Sequence, residues 1–479
     1  MSNILDLNPK NVFKYFSEIC SIPHGSGNME KISQYCMDFA QKHGLRAVRD
    51  AANNVIIYKN ASPGYEDCAP VILQGHLDMV CQKTDESDID FECDGLELFL
   101  DGDYIGARGT TLGADNGIAV AMMLAILEDT ALCHPPVEAV FTTDEEVGML
   151  GAVKLNMSLL SGRRMINMDS EDPSVVTVSC AGGSDFSVNI PVTRRTVQGS
   201  CLEIRVSGLR GGHSGVEINS GAVNANILMA RILNKLYSEF PFDIVSIDGG
   251  DKGNAITPAC CAKIVCENAD GVAEYIEKYA ALIKEEISSR EKGFSCTCNI
   301  FSGNFDVLMT PDTKTLIRTL LCVPNGVIDM SMEIAGLVET SLNLGILMTG
   351  EKAINLSFAL RSNKMSALKF LEEKMCAYFS NIECDIKTGG SYPPWEYKND
   401  SALRDLYCEK YAEKYGTAPT VEAIHAGLEC GVFSAVSKDF DCISIGPEMH
   451  GIHTVNERLS VSSTAATYDI VLKVLSELK

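Results

Sequence analysis

The chain has 479 residues, with 64 acidic against 40 basic side chains and a formal net charge of −24. A chain of this length usually exceeds what one hydrophobic core can serve, so two or three domains are expected. The acidic surplus argues against nucleic acid or an anionic membrane as a partner, because both attract a basic face.

The composition and the cysteines indicate a cytoplasmic globular protein. Hydrophobic residues make up 46% and charged residues 22% of the chain, as in ordinary soluble domains. The nineteen cysteines are an odd number, and no pair has the Cys-x-x-Cys spacing of a zinc ribbon or redox centre. Buried, reduced thiols are therefore expected. The N-terminus has no basic segment followed by an apolar core, and no run of about 18 apolar residues predicts a membrane span.

The first part of the chain alternates helical and strand patterns. Apolar spacing predicts helices over 9–20, 29–43 and 118–128, and a β-hairpin over 45–58. Apolar strands are predicted over 71–73, 137–143 and 163–168. The acidic stretch 85–103 is interpreted as a solvated surface segment. This alternation of strands and helices favours an α/β fold with a parallel sheet.

Acidic residues or a histidine follow three of these strands and open one helix. They are His76 and Asp78, Asp115 at the start of the helix, Glu145 and Glu146, and Asp169. Residues i and i+2 of a strand share a face, so His76 and Asp78 point to the same side. Ligand sites of α/β sheets lie at the carboxyl ends of the strands. We therefore expect these side chains to meet at one edge of the sheet.

Each of these residues also has a structural interpretation. His76 and Asp78 alone could be solvated residues after a core strand. Asp115 could be the N-cap of the apolar helix that follows it. The consecutive carboxylates at 144–146 repel one another unless a cation lies among them, which favours the metal interpretation.

The pattern changes after the segment 181–183, which is interpreted as a hinge. Two successive runs of strand, helix, two strands and helix predict a duplicated β-α-β-β-α unit, with the second run beginning near Cys296. The first pattern returns after Pro393-Pro394-Trp395 with a helix over 402–415, a strand over 442–445 and a helix over 465–478. The predicted organisation is one α/β domain formed by 1–184 and 393–479, interrupted by an inserted domain, 185–392.

A second histidine on a loop, His453, follows the predicted strand over 442–445. Two imidazoles with several carboxylates suit two borderline divalent ions, Zn²⁺ first and Mn²⁺ or Co²⁺ next. Two such ions sharing a water activate it for attack on a peptide bond. A glutamate that binds no ion is then needed to transfer the proton. His450 is interpreted as an exposed loop residue.

The order and spacing of these motifs resemble a known family, the di-zinc metallopeptidases related to aminoacylase and glutamate carboxypeptidase. The resemblance is carried by His76-Leu-Asp78, Gly113-Ala-Asp115-Asn116-Gly117, Asp144-Glu145-Glu146-Val-Gly148, Asp169 and His453. Within that group the chain looks most like the aminoacyl-histidine (Xaa-His) dipeptidases, through Gln74-Gly-His-Leu-Asp-Met-Val80, Gly211-Gly-His213-Ser-Gly215, Asn254-Ala-Ile256 and His425-Ala-Gly-Leu-Glu-Cys-Gly431. The resemblance implies a zinc-peptidase-like three-layer α/β/α catalytic domain with an inserted α+β lid domain. The duplicated unit of the lid would be ferredoxin-like.

The resemblance also implies a ligand set for two zinc ions. His76, Asp115 and Asp169 would bind one ion. Asp115, Glu146 and His453 would bind the other.

Three further roles are implied by the resemblance. Asp78 would orient His76, Glu145 would act as the general base, and His213 would polarise the scissile carbonyl or its oxyanion. The segment after His453 reads Thr-Val-Asn-Glu457 where relatives often read Ser-Pro-Asp-Glu, a departure that puts only the shape of the loop in doubt.

Arg361 follows a predicted strand, 354–360, whose even positions are apolar and whose odd positions are polar. Its guanidinium is therefore expected to point away from the core, where it would be solvated or bind a carboxylate through two hydrogen bonds. The hypothesis is that Arg361 and Asn254 bind the C-terminal carboxylate of a dipeptide.

Taken together, the sequence predicts a cytoplasmic metal-dependent dipeptidase, a monomer or homodimer, acting on unblocked dipeptides of the Xaa-His type such as β-alanyl-histidine. An N-acyl amino-acid amidohydrolase or a carboxypeptidase would share the same metal centre. A non-catalytic metal-binding scaffold is the remaining alternative, and the presence of Glu145 with the full ligand set argues against it.

Overall fold

The structure, a computed structural model, describes residues 4–437 and 439–479. The chain forms two compact units. The first is the chain up to Cys180 with Trp395–Ala423 and Leu428–Lys479, and the second is Ala181–Pro394 with Ile424–Gly427. The interpretation of these units as catalytic and lid domains, with boundaries after residues 184 and 392, stays a prediction.

Helices and strands alternate through much of the chain. The helices are α1 (Lys10–Cys20), α2 (Glu30–Lys42), α3 (Ala114–Glu128), α4 (Leu150–Lys154), α5 (Ala225–Tyr237), α6 (Ala269–Ile287), α7 (Thr310–Cys322), α8 (Met365–Phe379), α9 (Ala402–Tyr415), α10 (Glu429–Ser434) and α11 (Val461–Glu477). The strands are β1 (Arg46–Arg49), β2 (Val55–Lys59), β3 (Val71–His76), β4 (Leu98–Asp101), β5 (Tyr104–Ala107), β6 (Val137–Thr142), β7 (Arg164–Asn167), β8 (Val175–Cys180), β9 (Gly182–Pro191), β10 (Arg194–Ser207), β11 (Gly212–His213), β12 (Phe242–Gly249), β13 (Ala255–Ile256), β14 (Cys260–Cys266), β15 (Ser295–Leu308), β16 (Gly326–Met330), β17 (Val338–Thr349), β18 (Ala353–Ser362), β19 (Asp385–Tyr392), β20 (Thr420–Ile424), β21 (Asp441–Ser444), β22 (Met449–His450) and β23 (Arg458–Ser460).

An eight-stranded sheet forms the centre of the first unit, in the order β1-β2-β6-β3-β7-β21-β8-β20. Its central strands β6, β3, β7 and β21 run parallel, and every residue of β3 and β6 is buried. Parallel strands with this pattern are covered by helices on both faces. Residues of α1, α2, α3 and α11 pack into the same core. The predicted α/β class is confirmed.

The carboxyl ends of β6, β3 and β7 lie side by side because the three strands are adjacent and parallel. Their last residues are Thr142, His76 and Asn167. Each is a predicted ligand or is followed within four positions by one. The fold thereby gathers residues that are far apart in the sequence.

The helix that carries Asp115 is held against β3. Residues 116–127 of α3 are all buried, as an all-round apolar helix requires. Gly75 permits the close approach, since a Cβ there would lie 2.4 Å from Asn116 Oδ1. The start of the helix is therefore fixed beside the end of β3.

The second unit is a nested duplication. Its nine-stranded sheet follows the order β15-β10-β14-β12-β17-β18-β9-β19, with β16 paired to β17. One β-α-β-β-α-β unit runs from β10 to β15 in the ferredoxin-like order 4-1-3-2. The other uses β9, α7, β17, β18, α8 and β19 in the same order. The first copy is thus inserted after the first strand of the second copy.

The predicted start of the second copy near Cys296 was wrong. Cys296 lies in β15, which pairs with β10 over the whole of its length and is the last strand of the first copy. The first strand of the second copy is β9, more than 100 residues earlier in the chain. The sequence order does not reveal this arrangement, because the whole first copy, β10 to β15, lies between β9 and the rest of the second copy.

Two further predictions are modified by the structure. The acidic stretch 85–103 contains β4, which pairs with β5 in a separate four-stranded sheet. All nineteen cysteines are free, but only eight are buried. Across the part of the chain described, no helix is both long and apolar enough to cross a membrane.

Candidate metal centre

Four of the predicted ligands surround the carboxylate of Asp115. Its Oδ1 lies 3.2 Å from His76 Nε2, and its Oδ2 lies 3.1 Å from His453 Nε2. His76 Nε2 is also 3.4 Å from Asp169 Oδ1, and His453 Nε2 is 2.9 Å from Glu146 Oε1. Each oxygen of Asp115 therefore faces an imidazole that has a second carboxylate of its own.

This arrangement fits a metal site. Ligand atoms of His76, Asp115 and Glu146 lie within 4.8 Å of one another. Imidazole nitrogen with carboxylate oxygen is a donor set that suits Zn²⁺, Mn²⁺ or Co²⁺. The identity of the ion as zinc stays a prediction.

The charges of the cluster shift the pKa values of its members. Burial lowers the pKa of His76, but the carboxylates around it outweigh burial and hold this pKa well above its ordinary value. Burial raises the pKa values of Glu146 and Asp169. Carboxylates this close repel one another, so protons or cations must offset their charge.

Asp78 fixes two parts of the centre at once. Its backbone carbonyl lies 3.0 Å from His76 Nδ1, closer than its carboxylate Oδ1 at 3.5 Å. The carboxylate instead accepts hydrogen bonds from the backbone N–H groups of Glu145 and Glu146, at 2.9 and 3.2 Å, and from the hydroxyl of Ser26 at 2.8 Å. The expected partner of His76 thus acts mainly through its backbone, while its side chain holds the acidic turn.

Glu457 is a positioning residue that the sequence analysis did not assign. Its buried carboxylate accepts hydrogen bonds from four successive backbone N–H groups, those of residues 112–115, at 2.8, 3.1, 2.9 and 3.3 Å. It therefore fixes the turn that presents Asp115. Its position four residues after His453 is the only sequence signal that connects it to the site.

Asn116 connects the ends of two strands. Its Oδ1 accepts the backbone N–H of His76 at 3.1 Å, and its Nδ2 donates to the carbonyl of Met168 at 2.7 Å. The side chain is fully buried. Because Met168 directly precedes Asp169, the amide of Asn116 sets the distance between the backbone of His76 and that of Asp169, two predicted ligands. The sequence marked it only as part of a motif.

In the second unit, His213 has a defined tautomer. Its Nδ1 accepts the backbone N–H groups of Gly215 and Val216, at 3.3 and 3.2 Å. Burial, followed by the charge of Arg361, lowers the pKa of His213. A neutral ring that accepts at Nδ1 carries its proton on Nε2, so Nε2 is available as a donor.

Arg361 is buried, which contradicts the solvated alternative of the sequence analysis and leaves the carboxylate-binding one as a prediction. The alternation of β18 is lost in its last residues, which are buried on both faces, and Arg361 is only 8% exposed. Its Nη1 donates to the hydroxyl of Tyr392 at 2.8 Å. Its Nε has no hydrogen-bond partner among the described residues. Leu360, the preceding residue of β18, lies in the hydrophobic core of the second unit, so the guanidinium is on the opposite face of the strand, as expected, but it is buried rather than solvated.

His425 is a second buried imidazole near Arg361 that the sequence did not assign. Its Nδ1 lies 3.0 Å from Asn363 Oδ1 and its Nε2 lies 2.8 Å from Ser341 Oγ. Burial, followed by the charge of Arg361, lowers the pKa of His425 to about 3. The ring is therefore neutral, and Arg361 supplies the positive charge of this cluster.

Two other predicted positions are peripheral. The backbone carbonyl of Asn254 accepts the N–H of Ser214 at 2.9 Å, while the residue itself is exposed. His450 pairs with Glu448 at 2.8 Å and its side chain is 61% exposed, as predicted, but it lies on the short strand β22 rather than on a loop.

A sequence profile described as peptidase family M20/M25/M40 matches residues 72–477. The chain belongs to this family. The family prediction made from the motifs is confirmed, and with it a metallopeptidase.

Relatives of this peptidase include the cytosol non-specific dipeptidase of Escherichia coli (strain K12), 34% identical over 100% of this chain and 99% of the relative. The crystal structure of aminoacylhistidine dipeptidase from Vibrio alginolyticus superposes with a TM-score of 0.90 and 35% identity, covering 99% of this chain and 98% of that one. Aminopeptidase PepT from Bacillus cereus shares the fold, with a TM-score of 0.58 and 15% identity over 98% of this chain and 99% of that one.

Replacing Glu457 by Gln should weaken metal binding by this peptidase about 10- to 100-fold, the usual effect of losing a group that orients a ligand. The glutamine side chain would place its own NH₂ group where a carboxylate oxygen now accepts from the backbone N–H groups of residues 112–115, so donors would face donors. Competition with a chelator measures the affinity. Glu448→Gln is the matched control, because it removes the same charge on the same C-terminal segment without contact to that turn. Unchanged affinity in Glu457→Gln would contradict the assignment.

Metal binding should release protons and weaken as the pH falls. Hydrogen bonds to Asp115 and Glu146 raise the pKa of His453 to about 10 in the metal-free protein, from an ordinary 6.5. An ion must displace that proton, since a ligating imidazole is neutral. The same raised pKa means that the ion pairs of His453 stabilise the metal-free fold fully below pH 6.5 and stop doing so as the pH rises through 10. Calorimetry in two buffers of different ionisation enthalpy measures the release, and binding without proton release would disprove this.

Proposed function

We propose that this peptidase is a metal-dependent dipeptidase of the cytosol that hydrolyses unblocked dipeptides, including Xaa-His dipeptides such as β-alanyl-histidine. Two relatives that align over nearly the whole chain carry the names cytosol non-specific dipeptidase and aminoacylhistidine dipeptidase. Identity of about a third across both domains supports a shared substrate class.

The observation that carries the proposal is the position of Asp115 between two imidazole–carboxylate pairs. His76, Asp115 and Asp169 would hold one divalent cation, and Asp115, Glu146 and His453 the other. When bound, such a pair lowers the pKa of a water molecule and stabilises the developing oxyanion. Zinc is the proposed ion, with Mn²⁺ or Co²⁺ as the alternatives that the same nitrogen and oxygen donors suit.

Glu145 is the proposed general base. In the acidic turn, Asp144 accepts the backbone N–H of Gly27 at 2.7 Å and Glu146 pairs with His453. Burial raises the pKa of Glu145 well above its ordinary value, which brings it closer to the working pH of a proton-transfer group. Its carboxylate would take the proton of the attacking water and return it to the leaving amine.

The second unit would bind the substrate. Arg361 has a buried Nε without a partner and no carboxylate neighbour within salt-bridge distance among the described residues, so its guanidinium would donate hydrogen bonds to the C-terminal carboxylate of a dipeptide. His213 would donate from Nε2 to the scissile carbonyl. Asn254 would assist Arg361 in binding this carboxylate. These assignments rest on the charge of Arg361 and the tautomer of His213.

The test of the function is hydrolysis of a dipeptide panel by the purified protein, together with metal analysis. The panel contains Xaa-His peptides, β-alanyl-histidine and other dipeptides, each with free and blocked termini. Hydrolysis of free dipeptides that is lost on removal of metal supports the proposal. Preference for N-acetylated substrates would instead indicate an amidohydrolase or carboxypeptidase, and metal binding without hydrolysis would indicate a scaffold.

Glu145→Gln should retain both metal ions and lower kcat about 10²- to 10⁴-fold, the usual contribution of a general acid–base residue. The substitution keeps the shape of the side chain and removes its ability to accept a proton. Metal content and kcat are measured on the same preparation. Asp144→Asn is the matched control in the same turn, and wild-type turnover by Glu145→Gln would overturn the assignment.

Arg361→Lys should weaken use of free dipeptides about 10- to 100-fold in kcat/KM, since a charged hydrogen bond contributes roughly 1.5–3 kcal/mol. Lysine keeps the charge and loses the planar pair of donors. The measurement is the ratio of kcat/KM for a free dipeptide to that for its C-terminal amide, in both proteins. An unchanged ratio would show that Arg361 does not bind the carboxylate.

A further inference from the structure

The segment His425-Ala-Gly-Leu-Glu-Cys-Gly431 carries a buried carboxylate that the proposed chemistry does not use. Glu429 is the first residue of α10 and its side chain is completely buried. A buried acidic side chain is costly unless it is paired or hydrogen-bonded, so its contacts indicate what it does.

Glu429 ends a chain of hydrogen bonds that crosses three strands. Its Oε2 accepts from Gln74 Nε2 at 2.5 Å and from Thr142 Oγ1 at 2.6 Å. Gln74 Oε1 in turn accepts from Asn167 Nδ2 at 2.6 Å. The three partners lie on β3, β6 and β7, and all of them are fully buried.

Each partner lies just before a residue of the proposed metal centre. Gln74 is two positions before His76, Asn167 is two positions before Asp169, and Thr142 is three positions before Glu145. The hydrogen-bond chain therefore ties together the three strand ends from which these residues project.

The carboxylate also sets the direction of the chain. Glu429 Oε2 accepts from Gln74, so Gln74 turns its NH₂ group toward Glu429 and its carbonyl toward the NH₂ group of Asn167. Glu429 Oε1, however, has no hydrogen-bond partner among the described residues. A buried oxygen left unpaired destabilises the fold, which argues that the residue is kept for what it positions.

We propose that Glu429 is a positioning residue of the metal centre, which sets the relative placement of His76, Asp169 and the acidic turn through Gln74, Asn167 and Thr142. Its proposed role is to hold these three side chains and not to bind the ions or the substrate. The inference rests on the proposed function and deepens it, because it assigns a residue to the same centre.

The experiment compares Glu429→Gln with Glu138→Gln. Glu138 is a matched control: it is buried on β6, and its carboxylate accepts hydrogen bonds from the N–H and hydroxyl of Ser161 and the N–H of Gly162 at 2.6–3.1 Å. Measurements are the affinity for Zn²⁺, the visible absorption spectrum of bound Co²⁺, kcat, KM and Tm. Glu429→Gln should weaken metal binding about 10- to 100-fold, alter the Co²⁺ spectrum and lower kcat while KM stays near the wild-type value.

Glu138→Gln should lower Tm and leave affinity, spectrum and kcat unchanged. If Glu429→Gln does not fold, Thr142→Val removes one donor and Thr142→Ser restores it, and only the valine variant should alter the Co²⁺ spectrum. Wild-type affinity and spectrum in folded Glu429→Gln or Thr142→Val, or equal losses in Glu138→Gln, would overturn the proposal. If the wild type hydrolyses no dipeptide, the proposed function fails, while the metal affinity and spectrum still test Glu429.

Discussion

The concentration of charge around Asp115 is the constraint on which the first unit depends. Its two carboxylate oxygens face His76 and His453, and each imidazole also faces another carboxylate, of Asp169 or Glu146, with contacts between 2.9 and 3.4 Å. Carboxylates gathered around the same two imidazoles repel one another unless positive charge lies between them. In the metal-free protein the carboxylates raise the pKa values of His76 and His453, so protonated imidazoles supply part of this positive charge. Divalent cations would supply more of it.

Such a cluster also needs a rigid surrounding, and other acidic side chains supply it. The carboxylate of Asp78 holds the backbone of the acidic turn, and Glu457 holds the turn before Asp115. Glu429 joins the three strand ends through Gln74 and Thr142. Acceptor-only groups suit this work because they fix the direction of every hydrogen bond they receive. Part of the acidic surplus of the chain is therefore structural.

The second unit contains a buried positive charge, in contrast to the buried carboxylates of the first unit. Arg361 is buried and has a neutral imidazole on each of two neighbouring segments, His213 and His425, whose pKa values burial and the guanidinium lower. This buried guanidinium beside two neutral imidazoles supports the proposal that Arg361 binds the carboxylate of the substrate. The nested ferredoxin-like duplication provides the strand, β18, that carries it.

The sequence by itself determined the family and the α/β class and predicted the residues proposed for the metal centre, because these depend on motifs that are local: an apolar strand or helix with an acid or imidazole at its end. Only the tertiary structure decided how Asp115 is shared between His76 and His453, that Arg361 is buried, and which strand begins each copy of the duplicated unit. The same holds for Glu429 and Glu457, whose partners lie more than 280 residues away in the chain. Contacts of that range leave no periodicity in the sequence, since they are set by the pairing order of strands and the packing of α3 against β3.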